Sequence, residues 1–389
     1  MTPAPRTARS PVIVGLGLTD MGKVYGKNGA QFAAEATRLA VADAGLQLSD
    51  VDGLLVSTGM AKDVDLGLQV DLNLRDLKVL TQMQAYGSTA GAMVQYASMV
   101  VESGMAEVVV CAFGDAPLKE GAGSGDAYTS GRTHAGWAGL QQSTGAVTPN
   151  VLYSLAARRH MLKYGTTSEQ LGAIAVAQRD WAALNPLAQM RTPITLADHQ
   201  NSRVISDPFH LFDCCLVSNG GVAVVVTTAE RARNSKQPAV DVLGWAQSHP
   251  GTKLRRNDNF GLVTGAAQSG PAAMSMAGVT VDDIDLVELY DCYTYTALVT
   301  LEDYGFCVKG EGGEFVSTPG MIGPGGKLKV NTGGGQLSSY YMWGMTPLSE
   351  AIMQARGQAG ARQQDRHELI LVSGNGGTLD HHATLVLGS

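Results

Sequence analysis

The chain has 389 residues, of which 44% are hydrophobic and 16% charged, with a formal net charge of −7. That length supplies a large core of two or three layered units, and an acidic chain without a basic face excludes nucleic acid as the expected partner. Five cysteines with no CxxC spacing, no apolar signal core at the N-terminus and no apolar run of membrane-spanning length predict a cytoplasmic protein. Such a protein has reduced thiols and no membrane partner. The one local basic cluster, KLRR at 253–256, reads as a solvated loop or as a weak candidate contact for a phosphate.

Taken in order, the elements form a pattern that occurs twice. A helical stretch, AQFAAEATRLAVAD (30–43), runs into AGLQLSDVDGLLV (44–56): a glycine stop, a short turn and a buried strand. A glycine turn then opens a second helix at 85–104. It leads into GMAEVVVCAFGD (104–115), an unbroken apolar strand of the kind buried on both faces. From 116 to 205 the chain carries an insertion, glycine-rich at first and helical later, which is expected to cover an active site or a subunit contact. The strand GVAVVVTT (221–228) and the polar stretch 227–244 mark the boundary between a first half, residues 1–230, and a second, residues 231–389.

The second half repeats the order. SGPAAMSM (269–276) precedes AGVTVDDIDLVEL (277–289), which aligns with 44–56 without a gap and with four identities. A glycine turn and helix follow at 333–357, and RHELILVSGNGG (366–377) is again a strand ending in glycines. Two matches in one order indicate an internal duplication. The expected fold class is therefore α/β, with two similar halves and a loop and helical insertion in the first.

Four segments carry a family resemblance: DPFHLFDCCLVSNGGVAVVV (207–226), VELYDCYTYTALVTLEDYGFC (287–307), NTGGGQLSSYYMWGMTPLSEA (331–351) and SGNGGTLDHHATLVLG (373–388). Together they resemble the thiolase superfamily, in its sterol-carrier and lipid-transfer branch. The resemblance implies a thiolase-like fold in which the duplicated halves stack in five layers, αβαβα, and a homodimer. It also implies where the chemistry sits. The family's nucleophilic cysteine, at a helix start that favours a thiolate, matches Tyr86. Its acid/base histidine matches Tyr341, its oxyanion residue Tyr290, and its second cysteine falls at or beside Ser373. Every acyl-transfer position has changed.

In that respect the chain resembles the lipid-transfer-protein aldolases, which have tyrosines at the replaced positions. Those proteins cleave a β-hydroxyacyl-CoA in steroid side-chain degradation and work with a DUF35-type partner of OB-fold and zinc-ribbon class. The resemblance implies retro-aldol cleavage to a ketone or aldehyde plus a shortened acyl-CoA, with no covalent cysteine intermediate. CoA is then part of the substrate, no cofactor is expected, and zinc belongs only to the partner. A thiolase with another nucleophile, and a non-catalytic acyl-CoA or sterol-binding scaffold, are the alternatives.

Such a cleavage needs a base for the β-hydroxyl, donors for the enolate oxygen and an acid for the α-carbon. Tyrosine, with an ordinary pKa of about 10, is a poor base at neutral pH and a good donor. The expected catalytic residues are Tyr290 and Tyr341, with Tyr340 and Tyr295 as neighbours able to exchange roles with them. A packed ring with a satisfied hydroxyl is the alternative for each. Substrate contacts are expected from Tyr86, from Gly334, Gly376 and Gly377 through backbone N–H groups, and from His381. Asp291 and Cys292 read as loop supports. Asp380–His382 reads as a strand start rather than a metal site.

Overall fold

The computed structural model describes residues 7–128, 135–146, 148–251 and 259–389; the basic run 253–256 and residues 129–134 of the glycine-rich stretch lie outside them. Among these residues the first half contributes strands β1 (Pro11–Leu18), β2 (Gly53–Thr58), β3 (Val79–Gln82), β4 (Val108–Asp115), the short pair β5 (Val204–Ser206) and β6 (Phe209–His210), and β7 (Gly220–Thr228). The second contributes β8 (Val240–Ser248), β9 (Leu286–Glu288), β10 (Lys329–Val330), β11 (Leu369–Gly376) and β12 (His381–Gly388). Ten of them form one sheet of order β10-β9-β11-β12-β8-β1-β7-β4-β2-β3.

Read outward from the β1–β8 junction, one side runs β1-β7-β4-β2-β3 and the other β8-β12-β11-β9-β10. Each strand occupies the place of its counterpart. The junction is short, with antiparallel pairs Val12↔Asp241 and Ile13↔Val240. The sequence gives no sign that the two halves share a sheet, because pairing across a boundary depends on how they dock.

The repeated identities have one structural reason in both halves. Gly45 (φ +75°) and Gly278 (φ +71°) stop helices α1 (Gly29–Asp43) and α8 (Ala266–Ala277) in the left-handed conformation. Asp50 accepts from the Gln47 N–H, and Asp283 from the Thr280 N–H, each at 2.8 Å. Asp52 accepts from the N–H groups of Glu107 and Val108 where β4 begins. Asp285 does the same for Glu368 and Leu369 where β11 begins. Each aspartate fixes the register of a buried parallel strand pair.

The unbroken apolar strands are buried on both faces, as their pattern predicts. Val108, Val110 and Ala112 of β4 pack toward α1, while Val109, Cys111 and Phe113 join the core around α3 (Thr89–Ser103). With α2 (Leu68–Asp71) at the edge, α1 lies on β1, β4 and β7. On the other side α8 lies on β8 and β12. Between them α3 and α11 (Met345–Ala355) touch strands of both halves. The layers are therefore helix, strand, helix, strand, helix, in a thiolase-like fold. The insertion holds α4 (Gly136–Ser143), α5 (Pro149–Tyr164), α6 (Ser168–Ala183) and α7 (Leu196–Asn201); α9 (Thr294–Tyr304) and α10 (Gly312–Ser317) flank α6. No helix among the described residues is long and apolar enough to cross a membrane.

Candidate active site

Two loops at the ends of second-half strands build the site. Tyr290 follows β9, and its N–H donates to Ser373 Oγ on neighbouring β11 at 2.9 Å. Tyr341 follows a single π-type turn, Gly335–Ser339, which the buried Asp291 carboxylate holds by accepting from the N–H groups of Gln336 (2.8 Å) and Leu337 (3.3 Å). Burial pushes the Asp291 carboxyl up to about 7. Beneath the turn, Thr332 Oγ1 lies 2.7 Å from Glu288 Oε1 and 3.0 Å from Glu350 Oε1, and Arg362 binds Glu350. Burial first, and then the Glu350 charge, push Glu288 well above the ordinary carboxylate range. The insertion grips the same turn from outside: Arg179 donates to Ser338 Oγ at 3.0 Å and Asn185 to the Gly333 carbonyl at 2.8 Å.

Tyr340 is extended (φ −152°, ψ 162°), so it and Tyr341 point in opposite directions. Tyr341 turns outward, half-buried, and its hydroxyl meets that of buried Tyr290 at 2.9 Å, with the rings edge to face at 6.5 Å. Both line a cavity of about 430 Å³. Tyr86, Tyr153, Tyr293, Trp343, Gly376 and Gly377 also line it, and Cys215 and Cys292 place two sulfurs on its wall. The Tyr86 loop fits only because residue 87 is glycine: a Cβ there would fall inside the Tyr290 ring and against the Asn375 carbonyl. The wall is also strained. Of eight non-glycine residues with positive φ among the described residues, four line this cavity: Lys62, Tyr86, Trp343 and Thr378. Such strain concentrates where function over-determines the backbone.

Burial dominates the electrostatics. It pushes the hydroxyls of Tyr290 and Tyr153 well above 10 and the Cys292 thiol up to about 12. At neutral pH the tyrosines are therefore donors, and the thiol is not the thiolate that acyl transfer requires.

Residues 246–389 match the family described as thiolase C-terminal domain-like. The chain is 38% identical to a steroid side-chain-cleaving aldolase of Thermomonospora curvata, over 94% of this chain and 95% of that protein. It is 37% identical to a 17-hydroxy-3-oxo-4-pregnene-20-carboxyl-CoA lyase of Mycobacterium tuberculosis, over 94% and 96%. The solved Ltp2-ChsH2(DUF35) aldolase superposes with a TM-score of 0.86 at 34% identity, covering 98% of both chains.

The chain belongs to the thiolase superfamily, in its lipid-transfer-protein branch. Within this thiolase fold the structure brings five of the expected residues to one cavity: Tyr290, Tyr341, Tyr86, Gly376 and Gly377. His381, expected with them, is not among the residues that line it. Its ring stacks on Tyr86 at 6.3 Å and its Nδ1 is 2.9 Å from that of His249; burial and then His249 lower its pKa.

Three expectations are corrected. Tyr340 turns into the core, where its hydroxyl meets Ser349 Oγ at 2.6 Å. Tyr295 lies in the first turn of α9 and donates to the Gly261 carbonyl at 2.6 Å, fully buried. Gly334 (φ +92°) abuts Ala182 of α6, so its turn serves packing, not the cavity wall.

Sequence reasoning missed Tyr153 and Tyr293. Tyr153 sits in the insertion, on the first turns of α5, and Tyr293 donates to Asn150 of the same helix at 2.5 Å. No local signal marks either, because only docking of the insertion turns α5 toward the β9 loop. Among the described residues no group of three His, Cys, Asp or Glu side chains forms a metal site.

Proposed function

We propose that this chain is an aldolase that cleaves a β-hydroxyacyl-CoA, with a steroid side-chain CoA ester as substrate. The products are a ketone or aldehyde and a shortened acyl-CoA. The Tyr290–Tyr341 hydroxyl pair carries this reading: it sits at 2.9 Å on the cavity wall, and burial keeps Tyr290 protonated. As the Cα–Cβ bond breaks, charge builds on the thioester oxygen. A hydroxyl donating to that oxygen is polarised by the second hydroxyl behind it, and the low-dielectric wall strengthens both bonds. No covalent intermediate is needed, so a thiolate is not. The names borne by the 38% and 37% identical relatives agree with this chemistry.

In the same reading CoA is the only nucleotide involved, no cofactor is bound, and the chain works in the cytoplasm as a homodimer. A DUF35-type OB-fold and zinc-ribbon protein is its partner, in keeping with a solved relative whose name includes DUF35. The test is a panel of β-hydroxyacyl-CoA esters with steroid side chains, assayed for the released carbonyl compound and the shortened acyl-CoA. Binding of every ester without release favours the scaffold reading. Acyl transfer to free CoA favours a thiolase. Light scattering with and without the partner checks assembly, and a fully active monomer alone refutes that part.

A further inference from the structure

Aldol cleavage leaves one role unfilled by the tyrosine pair: something must take the β-hydroxyl proton. Burial holds Tyr290 and Tyr153 in the protonated form and suppresses the Cys292 thiolate. Among the described residues that line the cavity there is no histidine and one carboxylate, that of Asp380. A carboxylate is by default the basic form at neutral pH.

The backbone that presents Asp380 is unusual. β11 and β12 pair as far as Gly376↔His381, so residues 377–380 form the hairpin loop. Three successive residues in it take the left-handed conformation: Gly377 (φ +63°), Thr378 (φ +58°) and Leu379 (φ +68°). For a β-branched threonine and a leucine that conformation is an outlier. The buried Leu379 side chain anchors the loop, and the Asp380 N–H closes it by donating to the Gly376 carbonyl at 2.9 Å. The Asp380 side chain then folds back over residue 377, where a Cβ would meet its Oδ2 at 3.3 Å. This loop turns a carboxylate back toward the glycines of the cavity wall, instead of out along β12. Its charge also acts on the Tyr153 hydroxyl, as one of the lesser causes, after burial, that keep that group protonated.

Resting on the aldolase reading above, we propose that Asp380 is the general base of the cleavage. Its carboxylate accepts the β-hydroxyl proton as the C–O bond becomes C=O and the Cα–Cβ bond breaks. The electron pair of that bond passes into the thioester as an enolate, held by the tyrosine hydroxyls. Asp380 then returns the proton to the α-carbon. Substrate and products balance with no other reagent, and Asp380 ends ionised as it began.

The experiment compares wild type with Asp380→Asn on a steroid side-chain β-hydroxyacyl-CoA, and follows α-hydrogen exchange of the shortened acyl-CoA alone in D2O. The second reaction uses only the return step. The expected result is a loss of about 10²-fold or more in kcat and loss of exchange, with an unchanged melting temperature. If Asp380→Asn does not fold, Asp380→Ser is measured for the same two losses. Cleavage and exchange within about threefold of wild type overturn the role of Asp380 while leaving the aldolase reading intact. A wild type that cleaves no ester overturns both.

Discussion

Removing one oxygen from Tyr290 or Tyr341 separates chemistry from packing. Tyr290→Phe keeps a buried ring and deletes a hydroxyl that lies 2.9 Å from Tyr341 Oη. As a structural hydrogen bond that group contributes about 0.5–1.5 kcal/mol. Unfolding entropy is about 2.1 cal/mol/K per residue. Over 389 residues, a loss of that size lowers the melting temperature by roughly 1–2 °C. As a donor to a developing enolate oxygen, the same group is worth about 10²–10³ in rate, or about 2.7–4 kcal/mol. The two hydroxyls act in series, so the double Phe variant is expected to lose little more than either single one. Tyr340→Phe is the control. Its hydroxyl meets Ser349 in the core, so it should lower the melting temperature and leave kcat unchanged. The assay measures kcat from carbonyl product and shortened acyl-CoA, beside a melting curve for each variant. If Tyr290→Phe and Tyr341→Phe both turn over normally while melting lower, the pair is packing and the donor argument is wrong.

Three further outcomes follow from the geometry. Gly87→Ala drives a methyl group into the Tyr290 ring and is expected to lower both kcat and melting temperature; wild-type kinetics would show that the Tyr86 loop can move aside. Burial pushes the thiols of Cys111 and Cys214 up, and those of Cys292 and Cys307 up to about 12, so alkylation of these four by iodoacetamide at pH 7.5 should be slow. Rapid inactivation prevented by substrate would revive a thiol mechanism. Burial also raises Asp115 to about 6, although it accepts from the N–H groups of Met60 and Ala61. Because that folded value lies above the unfolded one, the contribution of Asp115 is fully present below about pH 4 and is lost as pH rises through about 6. The melting temperature of wild type relative to Asp115→Asn should therefore fall between pH 4 and 7, and a constant difference would contradict the assignment.

The sequence by itself determined the duplicated α/β plan, because helix stops, strand burial and turn chemistry are written locally. Gly45 and Gly278, Asp52 and Asp285, and the unbroken strand 108–113 each act within a few residues or on an adjacent strand. It also marked Tyr290 and Tyr341, through the motifs around them. Tertiary structure decided the rest. The strands of the two halves pair through two residue pairs of β1 and β8, and α5 brings Tyr153 and Asn150 to the β9 loop. Which member of the Tyr340–Tyr341 pair faces the cavity depends on the dihedral angles after a π-type turn, set in turn by a buried aspartate 45 residues away in sequence. Such choices rest on non-local contacts, and no short window of residues contains both partners of one.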